Sequence, residues 1–202
     1  MMGRIGTTRV TTNTGLAIEL RGPSEDDRDI LQQEYRLLSD RSRYSRFFTV
    51  SPHLTESTLT SLLSVDQQDH IAVGAVVDAP DGEVAGRTIG VARAIRLNGR
   101  HDAAELAVTV VDDYQRQGVG TTLICAVAAY ATTVGIDVFT ATLLAGNAAM
   151  AAVLRGFGAR LEPNTDDRTL IEATLDTSIP AGRLDPDLAD RIVQTLRSDL
   201  AT

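Results

Sequence analysis

The feature that most constrains the fold is the stretch VVDDYQRQGVGTTL at residues 110–123, where an apolar strand passes through a glycine-rich loop into a helix. No side chain suited to capping stands at the start of that helix, where Gln117, Gly118, Val119 and Gly120 are found. The first turn of a helix carries backbone N–H groups that have no intrahelical acceptor. We therefore expect these groups to bind something other than a side chain.

The glycine spacing of this loop matches neither of two common phosphate-binding motifs. A P-loop requires Gly-Lys-Ser/Thr, and the loop has no lysine. A dinucleotide-binding fingerprint requires a third glycine where this chain has Leu123. Without Cβ atoms at positions 118 and 120, an anion can still reach the N–H groups, and the helix dipole adds about half a positive charge. On spacing alone, a pyrophosphate site and a simple tight turn both stay open.

The charge balance of the chain argues against several classes of partner. The 202 residues carry 19 basic and 27 acidic side chains, which gives a net charge of −8 and a pI near 4.8. An acidic surface disfavours nucleic acid and anionic membranes, so any phosphate must be held by a local site. The length and the hydrophobic fraction of 43% suit one globular domain with a buried core.

The side chains that bind metals or form disulfides give no sign of either. Cys125 is the only cysteine, and its apolar neighbours indicate a packed thiol. His53, His70 and His101 are not spaced as metal ligands, and His101 follows a predicted turn. The N-terminus lacks the apolar core of a signal peptide, and no apolar run approaches the ~20 residues of a membrane span. We therefore expect a cytoplasmic protein without a metal.

Hydrophobic periodicity and turn residues predict the element order β-αα-βββ-α-β-α-ββ, in which an antiparallel meander leads into a βαβ crossover. This order describes an α/β (α+β) fold with a mixed central sheet. We divide the chain into a flexible N-terminal segment (1–14), a globular domain (15–176) and a C-terminal linker with an amphipathic helix (177–202). The apolar stripe of that helix either covers its own sheet or pairs with a second subunit in a homodimer.

The loop Gln-Arg-Gln-Gly-Val-Gly at 115–120 resembles the acetyl-CoA signature Gln/Arg-x-x-Gly-x-Gly of the GNAT superfamily of N-acetyltransferases. The predicted element order is also similar to that superfamily over residues 16–175. The resemblance implies a GNAT fold and acetyl-CoA as co-substrate, with Gln115 as the polar first residue of the signature. The residues whose backbone N–H groups would hold the CoA pyrophosphate are Gln117, Gly118, Val119, Gly120 and Thr121.

The resemblance also assigns residues along the pantetheine arm. In GNAT enzymes the strand before the loop separates from the next strand, and pantetheine occupies the gap. This implies that Val110 and Val111 offer backbone groups to the cofactor amides and thioester. Asn147, at the start of the following helix, stands where the family has an Asn near pantetheine, and an ordinary N-cap is the alternative.

Glu105 is the candidate catalytic residue, since an ionised carboxylate on the apolar stretch AAELAVTVV is costly to bury without a purpose. The protein-lysine branch of the GNAT enzymes carries a general-base Glu on this strand, so the resemblance assigns that role to Glu105. Partial burial is expected to raise the pKa of this carboxyl toward the working pH. An exposed Glu at the edge of the sheet is the alternative.

The segment SRYSRFF at residues 42–48 is similar to a Ser-Arg-Tyr-x-Arg-Phe-Phe segment of the bacterial protein lysine acetyltransferases called Pat. It is expected to be a loop that begins at Ser42 and lies over the acceptor end of the CoA cleft. Its two aromatic residues, Phe47 and Phe48, are expected to anchor it in the core. Arg43 and Arg46 are candidates for contacting acidic groups around a target lysine.

The sequence departs from the family pattern at the general acid. Many GNAT enzymes have a tyrosine seven residues after the Asn, and this chain has Leu154 there, while Tyr114 does not replace it. A CoA thiol, with a pKa of about 8.5 by analogy with cysteine, leaves without strong assistance. Asp112 and Asp113 are like charges beside a phosphate site, so we expect them to point away or to cap the helix.

The resemblance implies an acetyl-CoA-dependent N-acetyltransferase that acts on a lysine ε-amine of a target protein, such as an acyl-CoA synthetase. A small amine, such as a polyamine, an aminoglycoside or an amino acid, is the alternative acceptor, because an acidic protein attracts cations. An acyl-CoA-binding module without turnover is a third hypothesis. A concave pocket lined by several acids would favour a small amine, and an open, shallow groove would favour a protein.

Overall fold

The computed structural model describes residues 6–47, 51, 53–77 and 86–198 of the chain. The strands are β1 (Thr8–Thr11), β2 (Ala17–Arg21), β3 (His70–Val77), β4 (Arg87–Leu97), β5 (Arg100–Val110), β6 (Val138–Leu144), β7 (Arg160–Pro163) and β8 (Leu170–Asp176). They form one sheet in the order β1-β2-β3-β4-β5-β6-β8-β7. Neighbours in this described sheet are antiparallel except β5 and β6, which are parallel because a helix crosses over between them. The predicted mixed sheet is confirmed.

Helices cover both faces of the sheet. They are α1 (Arg28–Leu37), α2 (Asp40–Phe47), α3 (Glu56–Leu63), α4 (Val119–Thr133), α5 (Ala148–Gly156), α6 (Ser178–Ala181) and α7 (Pro186–Ser198). Ala92 of β4 is buried with α4, whereas the next residues on either side, Val91 and Arg93, line a cavity under α1 and α3. Since side chains alternate along a strand, α1 and α3 lie on the face opposite to α4.

Helix α4 forms the centre of the core because it is apolar on almost every side. Residues 123–131 are all buried, and α4 contacts β3, β4 and β5 as well as α6 and α7. Surrounded in this way, it needs no polar face. Even so, no helix in the described part of the chain is both long and apolar enough to cross a membrane.

The N-terminal segment is more ordered than the sequence predicts, whereas the C-terminal helix is present as predicted. The segment 1–14, expected to be flexible, contains strand β1, which pairs with β2 from Thr8 to Thr11. The tail helix α7 packs on its own domain, with Ile192, Val193 and Leu196 in the core. The hydroxyl groups of Thr8 and Thr195 lie 2.6 Å apart, so β1 and α7 hold each other in place.

The region between α1 and α3 also differs from the prediction. The segment expected to be a loop from Ser42 contains α2, which begins at Asp40. The hydrogen bonds that hold its first turn come from a residue seventy positions away, as described below. Local sequence therefore gives little sign of this helix.

A buried ion pair fixes the start of α1. The Arg21 Nη1 donates a hydrogen bond to Asp27 Oδ2 at 2.7 Å, and the Ser24 N–H donates to the same oxygen at 2.7 Å. Burial by itself raises the pKa of Asp27, but the bonds and charge of Arg21 and the Ser24 bonds lower it below its ordinary value overall. The end of β2 is thus tied to the helices that cover the sheet.

Replacement of Asp27 by Ala is expected to lower the free energy of unfolding by about 3 kcal/mol, because the Arg21 guanidinium loses its buried carboxylate partner. Since the folded pKa of Asp27 is lowered, this contribution is present above the unfolded pKa of about 3.9 and is lost as the pH falls through the folded value. Urea unfolding at pH 7 and pH 3 measures both effects. Asp26→Ala, exposed in the same turn, is the control, and equal losses for the two variants would contradict this role.

Candidate active site

The parallel pairing of β5 with β6 stops after three residue pairs, the last of which joins Glu105 to Thr140. Both strands continue beyond this pair without bonding to each other. A cleft of about 390 Å³ lies beside the edge of β5 that β6 leaves unpaired. It is bordered by the loop at 112–118, the first turn of α2 and the first turns of α5. The predicted site residues that line this cleft are Val110, Gln115, Gly120 and Asn147.

The loop before α4 turns sharply through Arg116 and Gly118, whose φ angles are 61° and 78°. Gly118 is the N-cap of α4, and no side chain of the described residues caps this helix. The first intrahelical bond runs from the Thr122 N–H to the Gly118 carbonyl at 3.0 Å, so the N–H groups of 119–121 precede the hydrogen-bonded turns. The uncapped helix start that the sequence predicts is therefore observed.

The turn between β1 and β2 packs against this loop and explains the glycine at 118. The Thr14 hydroxyl donates a hydrogen bond to the Gln117 carbonyl at 2.8 Å. A Cβ at Gly118 would collide with Asn13 Oδ1, and its positive φ is unfavourable for other residues. The sequence analysis missed this support, because the two segments lie about a hundred positions apart.

Gln115 connects the end of β5 to α2. Its Nε2 donates hydrogen bonds to the Val110 carbonyl at 3.1 Å and to Ser42 Oγ at 3.2 Å. Gln117 has a different role, since its Nε2 donates to the Asp113 carbonyl at 2.8 Å inside the loop. The first residue of the predicted signature therefore positions the walls of the cleft.

Asp112 holds the start of α2. Its carboxylate accepts hydrogen bonds from the Ser39 N–H (3.0 Å), the Ser39 hydroxyl (3.0 Å) and the Ser42 hydroxyl (2.9 Å). Burial raises the pKa of Asp112, but these bonds outweigh it and leave the pKa below its ordinary value. The expectation that this residue caps the helix after the loop is wrong, because it supports α2 instead of α4.

The assignment of Val111 to the cofactor is corrected by the structure. Its N–H donates to the Ile89 carbonyl at 2.9 Å, and its carbonyl accepts from the Tyr114 N–H at 2.9 Å. Its side chain is buried and lines the cavity under α1. Val110, in contrast, lines the cleft, although its carbonyl already accepts from Gln115. Val111 is therefore not retained as a cofactor ligand.

Glu105 lies at the point where β5 and β6 separate, beside a smaller cavity that also contacts Asn147 and Met150. Asn147, Met150 and Val108 line both this cavity and the larger cleft, so the two form one channel along β5. From Glu105 to Val110 the strand advances about 17 Å, at about 3.4 Å per residue. A carboxylate and an uncapped helix thus stand at opposite ends of one channel.

The burial expected for Glu105 is wrong. Its side chain is exposed at the mouth of the smaller cavity, as are those of its cross-strand neighbour Ile95 and of His101 near the hairpin. A carboxylate at this point is accessible to an incoming acceptor. The assignment of Glu105 as a general base therefore has to rest on its position at the divergence of the strands and not on desolvation.

Asn147 is the N-cap of α5, and its Oδ1 accepts from the Met150 N–H at 3.2 Å. The N-cap alternative is therefore observed, and the residue also lines both parts of the channel. Leu154 is buried in the core at the inner end of the smaller cavity. Among the described residues that line the channel there is no tyrosine, so a general acid stays unassigned.

Arg43 of α2 does not behave as expected. Arg43 forms an ion pair with Asp40, and its guanidinium lies 5.8 Å from the centre of the Tyr35 ring, so it is directed into the chain's own fold. Arg41, which the sequence analysis passed over, lines the cleft instead. Tyr44 is largely exposed, whereas Phe48 and the side chains of Arg46 and Phe47 lie outside the described part of the structure.

The remaining candidates do not take part in the site. Cys125 is buried, and desolvation raises the pKa of its thiol to about 11 despite the nearby charge of Arg183, which confirms a packed thiol. The ring of His70 lies between the Ser64 carbonyl and Arg93, and burial followed by the Arg93 charge lowers its pKa. The described residues contain no cluster of His, Cys, Asp or Glu that fits a metal ion.

Comparison with known proteins identifies similar sequences. The family model described as an acetyltransferase (GNAT) domain matches residues 17–160. Over 121 residues the chain is 36% identical to the acetyltransferase Pat of Mycolicibacterium smegmatis, an alignment that covers 60% of this chain and 34% of Pat. The matches to curated relatives span between about a third and just over half of those proteins' lengths.

Solved structures share the fold described above. The GNAT domain of S. lividans PAT superimposes with a TM-score of 0.75 at 27% identity, and the match covers 84% of this chain and 96% of that domain. The PaiA N-acetyltransferase of Thermoplasma acidophilum, solved in complex with coenzyme A, has a TM-score of 0.62 at 18% identity over 80% of this chain and 99% of its own. At that identity the second likeness shows a common fold alone.

Gly118→Ala is expected to lower the free energy of unfolding by about 2 kcal/mol, because Ala is strained at this φ and its Cβ displaces Asn13. Gly120→Ala is the matched control. A Cβ there meets Val110 Cγ2 at 3.7 Å, an ordinary contact, so this variant is expected to be neutral or stabilised by about 0.5–1 kcal/mol. Equal urea midpoints for the two variants would contradict this explanation of the loop.

Proposed function

The chain belongs to the GNAT family of acetyltransferases, and from this premise we propose that it transfers an acetyl group from acetyl-CoA to a lysine ε-amine of a target protein. One arrangement carries the proposal. Glu105 stands where β5 and β6 part, and the first turn of α4 lies against Val110, which is about 17 Å further along β5. An elongated thioester with an anionic end fits such a channel better than a compact ligand.

The loop and α4 supply the groups that would hold the coenzyme phosphates. The N–H groups of residues 119–121 are without side-chain acceptors among the described residues, and the positive end of the helix dipole lies at the same place. Gly120 leaves the backbone accessible from the cleft. Acetyl-CoA, once bound, supplies the activated acetyl group, and its pantetheine arm would run along the unpaired edge of β5 toward Glu105.

Glu105 acts as the general base in this proposal. Its carboxylate accepts a proton from the acceptor ammonium, directly or through a water, which frees the lone pair of the nitrogen. The nitrogen attacks the thioester carbonyl, a C–N bond forms, the C–S bond breaks and CoA leaves as a thiolate. The second proton of the nitrogen passes to the solvent or to the thiolate, whose pKa of about 8.5 makes it a competent leaving group without a tyrosine.

The shape of the acceptor end supports a protein acceptor over a small amine. Among the described residues that line the cavity beside Glu105, Glu105 is the only carboxylate, and its neighbours there include Thr142 and Asn147. Glu105 is also exposed, so a lysine side chain on another protein can reach it. The similarity to proteins named Pat favours the same acceptor class, and acyl-CoA synthetases are the proposed targets.

Two parallel panels test the choice of acceptor. The protein is incubated with acetyl-CoA and either lysine-containing proteins, including acyl-CoA synthetases, or small amines, and the products are read by mass spectrometry. All 19 basic residues of the 202 are arginines, so every acetyl-lysine detected belongs to the added protein. Turnover of small amines alone would overturn the protein acceptor, and CoA binding without any turnover would favour a binding module.

Glu105→Gln is expected to reduce kcat by about 100-fold or more, because the amide cannot accept the proton, while the Kd for CoA stays within about twofold of the parent value. Calorimetry measures binding, and release of the CoA thiol measures turnover. The control is Glu19→Gln on β2, whose carboxylate makes an exposed ion pair with Arg9. Full activity in the Glu105 variant would remove it from the mechanism.

A further inference from the structure

The charge of the chain creates a problem for the proposed coenzyme. CoA carries a pyrophosphate and a 3′-phosphate, and the protein has a net charge of −8. The backbone N–H groups of α4 supply only partial charges, and Asp112 lines the same cleft. Full positive charges near the loop are therefore needed to offset the repulsion between the protein and its ligand.

Among the described residues that line the cleft, the positive charges belong to Arg41 and Arg116. Arg116 is part of the loop, whereas Arg41 comes from the first turn of α2, 75 positions earlier in the chain. Arg41 is exposed, and α2 and α5 form walls of the same cleft. The fold thus brings together two guanidinium groups that the sequence separates.

The nearby carboxylates are already engaged with other groups. Asp40, adjacent in sequence to Arg41, forms its ion pair with Arg43. Asp112 accepts hydrogen bonds from Ser39 and Ser42, which flank Arg41 on both sides along the chain. No ion pair joins Arg41 or Arg116 to a carboxylate of the described residues. Their charge is therefore available to a ligand.

The position of Arg41 is fixed relative to the loop. Asp112 binds the residues on either side of it, and Gln115 binds both Ser42 and the last residue of β5. A residue whose backbone is held in this way loses less conformational freedom on binding than one on an independent loop. These bonds hold the first turn of α2 at the wall of the cleft.

On the basis of the proposed coenzyme, we propose that Arg41 binds the phosphates of CoA together with Arg116, so that α2 supplies the outer half of the anion site. A guanidinium presents several N–H donors in one plane and forms charge-assisted hydrogen bonds with phosphate oxygens. Asp112 and Gln115 are the positioning residues that keep Arg41 at the cleft.

The test compares ligands that differ in their phosphates. Kd values for CoA are measured by calorimetry, and those for pantetheine, which has no phosphate, are measured by NMR titration. Arg41→Ala is expected to weaken CoA binding about tenfold and to leave pantetheine within about twofold. Arg41→Lys is expected to recover part of the lost affinity for CoA. Added salt is expected to reduce the difference in Kd for CoA between the parent and the Ala variant.

Arg191→Ala on α7 is the control, since it removes one positive charge from a helix that packs against β1, β2 and α4. It is expected to change CoA binding less than twofold. An unchanged Kd for CoA in Arg41→Ala, with tight binding by the parent, would overturn this proposal alone. Equal losses for CoA and pantetheine would also overturn it, because they would indicate a change in the fold. Failure of the parent to bind CoA would overturn the coenzyme proposal as well.

Discussion

The early end of the β5–β6 ladder is the constraint on which the rest of the structure depends. Three parallel residue pairs join the two halves of the sheet, and the strands then continue without each other. A continuous ladder would satisfy the backbone of β5 and close the channel. Beyond the third pair β6 stays paired with β8 on its other side, and the start of α5 lines the opening with Asn147 and Met150. The backbone groups that lack a sheet partner lie along the channel, where the amide groups of a bound ligand would replace the lost hydrogen bonds.

The walls of this channel are held by contacts that cross the sequence. Thr14 of the β1–β2 turn bonds to Gln117, and Asp112 and Gln115 bond to Ser39 and Ser42. The loop before α4 is therefore supported from two sides by segments that precede it by about seventy and a hundred residues. Positive φ angles at Arg116 and Gly118 are stable in that setting, since the neighbours leave the loop few alternatives. A rigid loop presents its N–H groups to a ligand with little further loss of conformational entropy on binding.

Periodicity and glycine spacing were sufficient to predict the mixed sheet, the crossover helix and its uncapped start, because each depends on residues close together in sequence. Helix α2 was not predicted, because its first turn is held by the distant Asp112. Strand β1 was not predicted, because four residues in a Thr-rich stretch show little strand pattern of their own and become a strand by pairing with β2. Burial of Glu105 was predicted from its apolar neighbours, yet the strand reaches the open mouth of the channel at that residue. Val111 was assigned to the cofactor, although its N–H donates a hydrogen bond to the Ile89 carbonyl of β4. For α2 and Val111 the missing information was a contact with a distant part of the chain.

The basic residues of the chain fit the chemistry of an acyl donor. A thioester acylates free amines, and a lysine held beside it would compete with the substrate. A guanidinium stays protonated at all working pH values and offers N–H donors without a nucleophilic lone pair. Since the 202 residues include no lysine, Arg41 and Arg116 of the cleft would attract phosphate in the proposed coenzyme site without becoming acceptors themselves. In the proposed site the same residue type would offset the negative charge of the protein and protect the acetyl group from reaction with its own binding site.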